Sequence, residues 1–140
     1  MKAITILQSW AGLIAYGKKH IETRSWPTNY RGKIAIHAGK NRKNLSGAIE
    51  KFPGITLADN LCFSLGSVIA IADLVDCAQF KNSLIPRRNT ILLNGKEVEQ
   101  NELIFGDCTP GRWGWVLDNI QRIEPIPARG QQGLWNWGRI

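Results

Sequence analysis

Residues 17–26 read Gly17-Lys18-Lys19-His20-Ile21-Glu22-Thr23-Arg24-Ser25-Trp26, and Pro27 follows. Upstream, Ser9 has the character of a helix N-cap before Trp10-Ala11-Gly12-Leu13-Ile14-Ala15-Tyr16. Trp10, Leu13 and Ile14 fall at i, i+3 and i+4, so they share one helical face, and Gly17 is a natural stop at C′. Pro27 disfavours helix at the residue before it, so residues 21–26 are expected to be extended. In an extended segment Glu22, Arg24 and Trp26 point one way, and Ile21, Thr23 and Ser25 the other.

Outward from this stretch the chain is rich in strand signals. Ile4 and Ile6 alternate with Thr5, and Ile34 and Ile36 occupy one face of residues 33–38. Residues 28–32 read as a turn. Residues 40–52 carry an apolar stripe of Leu45, Ala48, Ile49 and Phe52, a second expected helix that Pro53-Gly54 ends. Residues 66–76 form a long β-rich run, 111–118 another, and 120–126 continue in extended form into Pro127. The chain closes on Gly133-Leu134-Trp135-Asn136-Trp137. Residues 82–102 are ambiguous, with a hairpin signal at Asn94-Gly95. Five or six short strands and two early helices do not alternate as a βαβ protein would. The expected fold is α+β, mostly β: a small, mostly antiparallel barrel with helices packed at its openings. Residues 1–140 are expected to form a single domain.

The chain has 140 residues, 44% hydrophobic and 21% charged, a globular balance rather than a disordered one. No apolar run approaches the ~20 residues of a membrane-spanning helix. Gln8 and Ser9 interrupt the first apolar run before a secretory core forms, and the expected location is cytoplasmic. Cys62, Cys77 and Cys108 make no CxxC pair, and His20 and His37 are the only histidines. A zinc knuckle, a disulfide framework and a histidine-rich metal site are therefore not expected. Neither GxGxxG nor GxxxxGK[ST] occurs, and no cofactor is expected. The net charge of +7 lies wholly in residues 1–70, with 10 basic and 3 acidic residues; residues 71–140 hold 8 of each. A one-sided basic surface suits a polyanion, although a cationic domain need not bind one.

The densest polar cluster is again residues 17–26. An acid, a guanidinium and an indole on one face, with Lys19 just before, suit a base or nucleoside. The indole stacks, Glu22 accepts from an exocyclic amine, and Lys19 or Arg24 meets phosphate. The alternative is structural, with Glu22 paired to Arg24 or Lys19 and Trp26 in the core. Six tryptophans raise the chance that some line a pocket, among them Trp113 and Trp115 on one strand face. His37 ends a predicted strand as a proton carrier or base contact. No GxSxG nucleophile elbow occurs, and Thr23 and Cys62 are minor candidates for a covalent nucleophile.

The run from Ile4-Thr5-Ile6-Leu7-Gln8-Ser9-Trp10-Ala11 through the G-x-K-x-x-E-x-R pattern at Gly17, Lys19, Glu22 and Arg24 resembles the ASCH domain. That family is a branch of the PUA-like superfamily. The resemblance continues through Tyr30-Arg31-Gly32, Ile34-Ala35-Ile36-His37-Ala38, Gly66-Ser67-Val68-Ile69-Ala70, Leu74-Val75-Asp76-Cys77, Phe105-Gly106-Asp107, Gly111-Arg112-Trp113-Gly114-Trp115-Val116-Leu117 and Gly133-Leu134-Trp135. It implies a small β-barrel with a cleft beside the first helix, and binding of RNA or other nucleic acid. Some members of the family look like enzymes. One group hydrolyses the amide of acetylated cytidine with a Lys, a Thr and a Glu, and a ribonuclease activity is reported. Lys19 matches that Lys. The Thr position falls on Glu22, and Thr23 is one residue off and turned away by strand alternation.

The leading reading is a binding module that takes a nucleobase or modified nucleoside, within RNA, in that cleft. The candidate binding residues are Ser9, Trp10, Lys19, Glu22, Arg24, Trp26, His37, Arg112, Trp113 and Trp115. The second reading is a metal-independent hydrolase of a modified nucleoside or of RNA, with Lys19 and Glu22 as its catalytic residues. The third is a peptide-binding module. The expected partner is nucleic acid or a nucleoside, with no membrane and no metal; oligomeric state is left open.

Overall fold

The computed structural model describes residues 1–41, 64–85 and 89–138. Among the described residues, eight strands and two short helices follow one another: β1 (Lys2–Ile6), α1 (Trp10–Ala15), β2 (Ile21–Arg24), β3 (Gly32–Ala38), β4 (Ser67–Asn82), β5 (Ile91–Leu93), β6 (Lys96–Glu97), α2 (Gln100–Phe105), β7 (Trp113–Pro127) and β8 (Leu134–Asn136). The strands form one curled, barrel-like sheet in the order β2-β7-β4-β3-β1-β8, and β5 and β6 form a hairpin on the far end of β4. All pairings are antiparallel except β1 with β3, which run parallel. The expected α+β, mostly-β barrel is what the chain forms, with one qualification: among the described residues β2 and β8 remain as edges, so the ring does not close.

Alternation sets the two faces. Ile4, Ile6, Ile34, Ile36, Ala70, Ala72, Leu74, Trp115 and Leu117 turn inward and meet Ala11, Ile14 and Ala15 of α1 in the main core. Ala3, Ala35 and Val68 turn the other way, where Trp135 and Trp137 cover them. β4 is 16 residues long and β7 is 15, and both exceed the usual strand. Register shifts at Val68/Ala70, Ile71/Asp73 and Leu74/Asp76 let the pair bend around the core. β4 runs past the expected 66–76 because Phe80 is buried against Leu93 and the hairpin pairs with that end. The turn at Asn94-Gly95 is where the sequence placed it, with both residues at positive φ.

Two local expectations change. Ser9 sits at the N-cap of α1 but its side chain does not cap; Gln8 Oε1 accepts the Gly12 N–H at 2.8 Å instead. Helix α2 was not foreseen in the ambiguous stretch; it folds because Glu102 and Phe105 are both buried one turn apart. The helix expected over 40–52 and the residue Cys62 lie outside the described residues. Among the described residues no helix is long and apolar enough to cross a membrane.

Candidate nucleic-acid site in the barrel seam

Helix α1 ends as its sequence asks. Gly17 has φ +72°, its N–H reaches Ile14 O at 2.9 Å, and Lys18 N–H reaches Leu13 O at 2.9 Å, the two bonds of a Schellman stop. The chain then turns sharply into β2, and that turn carries Lys19. It is held from across the molecule: Glu102 of α2 accepts the N–H groups of His20 at 2.9 Å and Ile21 at 3.1 Å. Glu102 was absent from the sequence-derived candidates. Nothing local marks it, since its partners lie more than eighty residues earlier.

Among the described residues strand β2 pairs only with β7, setting Glu22 opposite Trp115 and Arg24 opposite Trp113. Its far side faces the opening in the ring. Lys19 is only 1% exposed; its Nζ donates to Ile21 O and lies 3.6 Å from Glu22 Oε1. Glu22 Oε2 lies 2.9 Å from Arg24 Nη2, which also donates to Thr5 O at 2.8 Å. One carboxylate thus sits between two cations. Arg24 also bridges β2 to β1 beyond the point where β8 stops pairing with β1. Arg24 Nε is buried with no hydrogen-bond partner among the described residues.

This network forms one wall of a cavity of about 590 Å³, within the range of small-ligand sites. Trp10 and Trp26 supply its aromatic surface, Lys19, Glu22, Arg24 and Arg112 its charged groups, and Phe105, Gly106 and Asp107 close the side near α2. Arg112 Nε donates to Asp107 O at 3.1 Å and lies 3.4 Å from Asp107 Oδ2 at the rim. Hydrogen bonds from the Thr109 side chain and backbone hold the Asp107 carboxyl below its ordinary range, with Arg112 adding to the effect. Trp26 stands edge-on to Trp115 with ring centroids 4.8 Å apart, and its carbonyl accepts the Trp115 indole N–H at 3.2 Å.

Six of the ten candidate residues therefore border one cavity: Trp10, Lys19, Glu22, Arg24, Trp26 and Arg112. Four do not. Ser9 is buried in the turn before α1. Trp115 is a core residue, fully buried. Trp113 packs against the main core and borders a different cavity, with Gln79, Pro110 and Gly111. His37 alternates with Ile36 and so falls on the outer face beside Ala35. There its Nε2 bonds Ala128 O at 2.7 Å and its Nδ1 bonds Thr5 Oγ1 at 3.2 Å. Burial, with a smaller contribution from Lys40, lowers the His37 pKa against the opposing bond to Ala128. A neutral ring donates through Nε2–H to that carbonyl and accepts the Thr5 hydroxyl at Nδ1.

Thr23 and Ser25 also border the cavity, although alternation turned them away. The expected extended run over 21–26 stops at Arg24 and the chain bends at residues 25–26, so alternation no longer governs Ser25, and Thr23 reaches the cavity from a strand at the edge of the sheet. Cys108 is not a nucleophile at neutral pH: burial pushes its thiol up to about 11.

The chain is similar in structure to the crystal structure of ASCH from Zymomonas mobilis. Identity is 22% and the TM-score 0.55, over 99% of this chain and 87% of that one. A tyrosine-to-phenylalanine variant of the same protein gives 22% and 0.55, over 99% and 89%. A serine-to-alanine variant gives 19% and 0.53, over 99% and 87%. At these identities the likeness is one of fold. No curated protein matches the chain. The ASCH domain pattern matches residues 4–126, a span that includes the whole motif from Gly17 to Arg24 and the cavity built around it, and the chain belongs to the ASCH domain family.

Proposed function

We propose that this chain is an RNA-binding module that takes a nucleobase or modified nucleoside into the seam cavity. The observation that carries this reading is the Lys19–Glu22–Arg24 network, buried at Lys19 and Glu22, opening on a nucleoside-sized space beside two half-buried indoles. The family's frequent link to RNA binding and the cationic first half of the chain support it. Glu22 is the fixed acceptor for an exocyclic amine. Lys19 is enclosed, so its work is to hold Glu22; Arg24 and Arg112, both partly exposed, are the cations that meet phosphate. Trp10 and Trp26 offer stacking surface, which is tolerant of base identity.

Thermal melting and titration with the four ribonucleosides, acetylated cytidine and short RNA and DNA strands test this. Binding to the native state raises the melting temperature. A shift with at least one of these probes, lost in Glu22→Gln, is expected. If none binds at low salt, the reading is wrong.

A second reading draws on the same Lys19–Glu22 pair, which could polarise and hydrolyse the amide of an acylated nucleoside. It ranks below binding because the cavity's other carboxylate, Asp107, is turned to Thr109 and Arg112 at the rim. Turnover of acetylated cytidine that disappears in Lys19→Ala would reverse that order.

A further inference from the structure

A second cavity, of about 610 Å³, adjoins the first and is bordered by Thr5, Arg24, Trp26, Gln131, Gln132 and Gly133. Thr5, Arg24 and Trp26 border both. The two spaces therefore meet at Arg24 and Trp26, beside the open seam of the barrel. We infer that they are successive parts of one groove, which holds a single-stranded segment of at least two nucleotides. One base lies beside Glu22, its neighbour lies against residues 131–133, and the linking phosphate lies at Arg24. This rests on the reading above and adds the length and strandedness of the ligand.

Three observations carry it. The second space is as large as the first and shares three of its lining residues, so a ligand longer than one nucleoside can extend from one into the other. The chemistry changes along the groove in the order a polynucleotide asks for. A carboxylate acceptor comes first, then a partly exposed guanidinium at the junction, then two exposed carboxamides. A guanidinium matches a phosphodiester, and carboxamides both donate to and accept from base edges. Finally, the far wall is built rather than loose. Ala128 O is tied to His37, Gly130 packs on the His37 ring and the Thr5 hydroxyl, and Gly133 approaches the outer edge of Trp26. A duplex does not fit this arrangement, because the indole at the junction needs unstacked bases.

Isothermal titration compares each ribonucleoside, acetylated cytidine included, with the RNA trinucleotide that has the same residue between two uridines, and with that trinucleotide annealed within a duplex. The trinucleotide is expected to bind roughly tenfold or more tighter than its central nucleoside, the order of one charge-assisted hydrogen bond to the added phosphate or base edge. The double variant Gln131→Ala/Gln132→Ala, at two exposed positions, is expected to bring the trinucleotide down to the affinity of the nucleoside. Equal affinity for nucleoside and trinucleotide overturns the inference and leaves the nucleoside site standing. So does a trinucleotide gain that survives the double variant, or equal binding of the duplex. Failure of every probe at low salt removes the underlying site, and the inference with it.

Discussion

The Glu102 carboxylate accepts the backbone N–H groups of both His20 and Ile21, at 2.9 and 3.1 Å. A helix 82 residues further along the chain thereby fixes the turn that carries Lys19 beside Glu22. Glu102 is 7% exposed, so the bonds are shielded and their loss leaves two backbone donors without an acceptor. Glu102→Ala is expected to cost about 2–4 kcal/mol in chemical denaturation, from two bonds to a charged acceptor. Glu102→Gln keeps one acceptor oxygen and is expected to cost about half as much. Both variants should also weaken ligand binding, because Lys19 no longer holds its place.

Arg24 joins the two sides of the seam through one nitrogen, Nη2, shared between Glu22 and Thr5 O. A lysine carries the charge, but its stem is shorter than the reach of the guanidinium, so its ammonium falls short of the position from which Nη2 meets both partners. Arg24→Lys is expected to lose about 1–3 kcal/mol of stability, as for a charge-assisted bond. Nucleoside binding should fall alongside, as read by titration at fixed ionic strength.

His37 predicts an acid-sensitive melting curve. Its unfolded-state pKa is near 6.5 and the folded value is lowered, chiefly by burial. Below about 6.5 the unfolded chain therefore binds a proton that the folded chain resists, and acidification favours unfolding. The stability tied to this ring is fully present above that pH. It declines as the pH falls through the folded value and then levels off. Melting temperatures measured across this range should fall with acid in the native chain, and more shallowly in His37→Gln.

Gly130 has no room for a side chain. A Cβ there would stand 2.8 Å from His37 Cε1, 2.9 Å from Thr5 Oγ1 and 3.0 Å from His37 Nδ1. Gly130→Ala is expected to lose about 1–3 kcal/mol through overpacking. It should also shift residues 131–133 and reduce the trinucleotide advantage.

Arg112 lies at the rim, and its expected contribution is electrostatic and blind to base identity. Arg112→Ala should weaken binding of all RNA trinucleotides alike. It should also flatten the plot of log affinity against log salt by about 0.7 for the one phosphate contact removed.

The features legible in the sequence were those set by neighbours in the chain. Ile4 and Ile6, then Ile34 and Ile36, announced strands by alternation, and Gly17 and Pro27 bracketed the turn and strand that carry Lys19, Glu22 and Arg24. Alternation also separated His37 from Ile36, but it does not say which face of a sheet stays open. Trp135 and residues 128–130 cover the His37 face, and only the folded chain shows that. Trp115 was misplaced for a related reason. A tryptophan beside a pocket and a tryptophan beneath one look alike until strand pairing sets it opposite Glu22 with its N–H on Trp26 O. Glu102 was out of reach, since its partners are defined by tertiary structure alone.

Among the described residues the seam between β2 and β1 is crossed by the Arg24 side chain, not by a ladder of backbone hydrogen bonds. Such a join resists sliding and separation far less than a strand pair does, so slow opening of the ring should concentrate there. A strand of RNA lying along it would act as a clasp. Amide hydrogen exchange around Thr5 and along β2 should then slow on binding, while the β3–β4 amides across the barrel keep their rates.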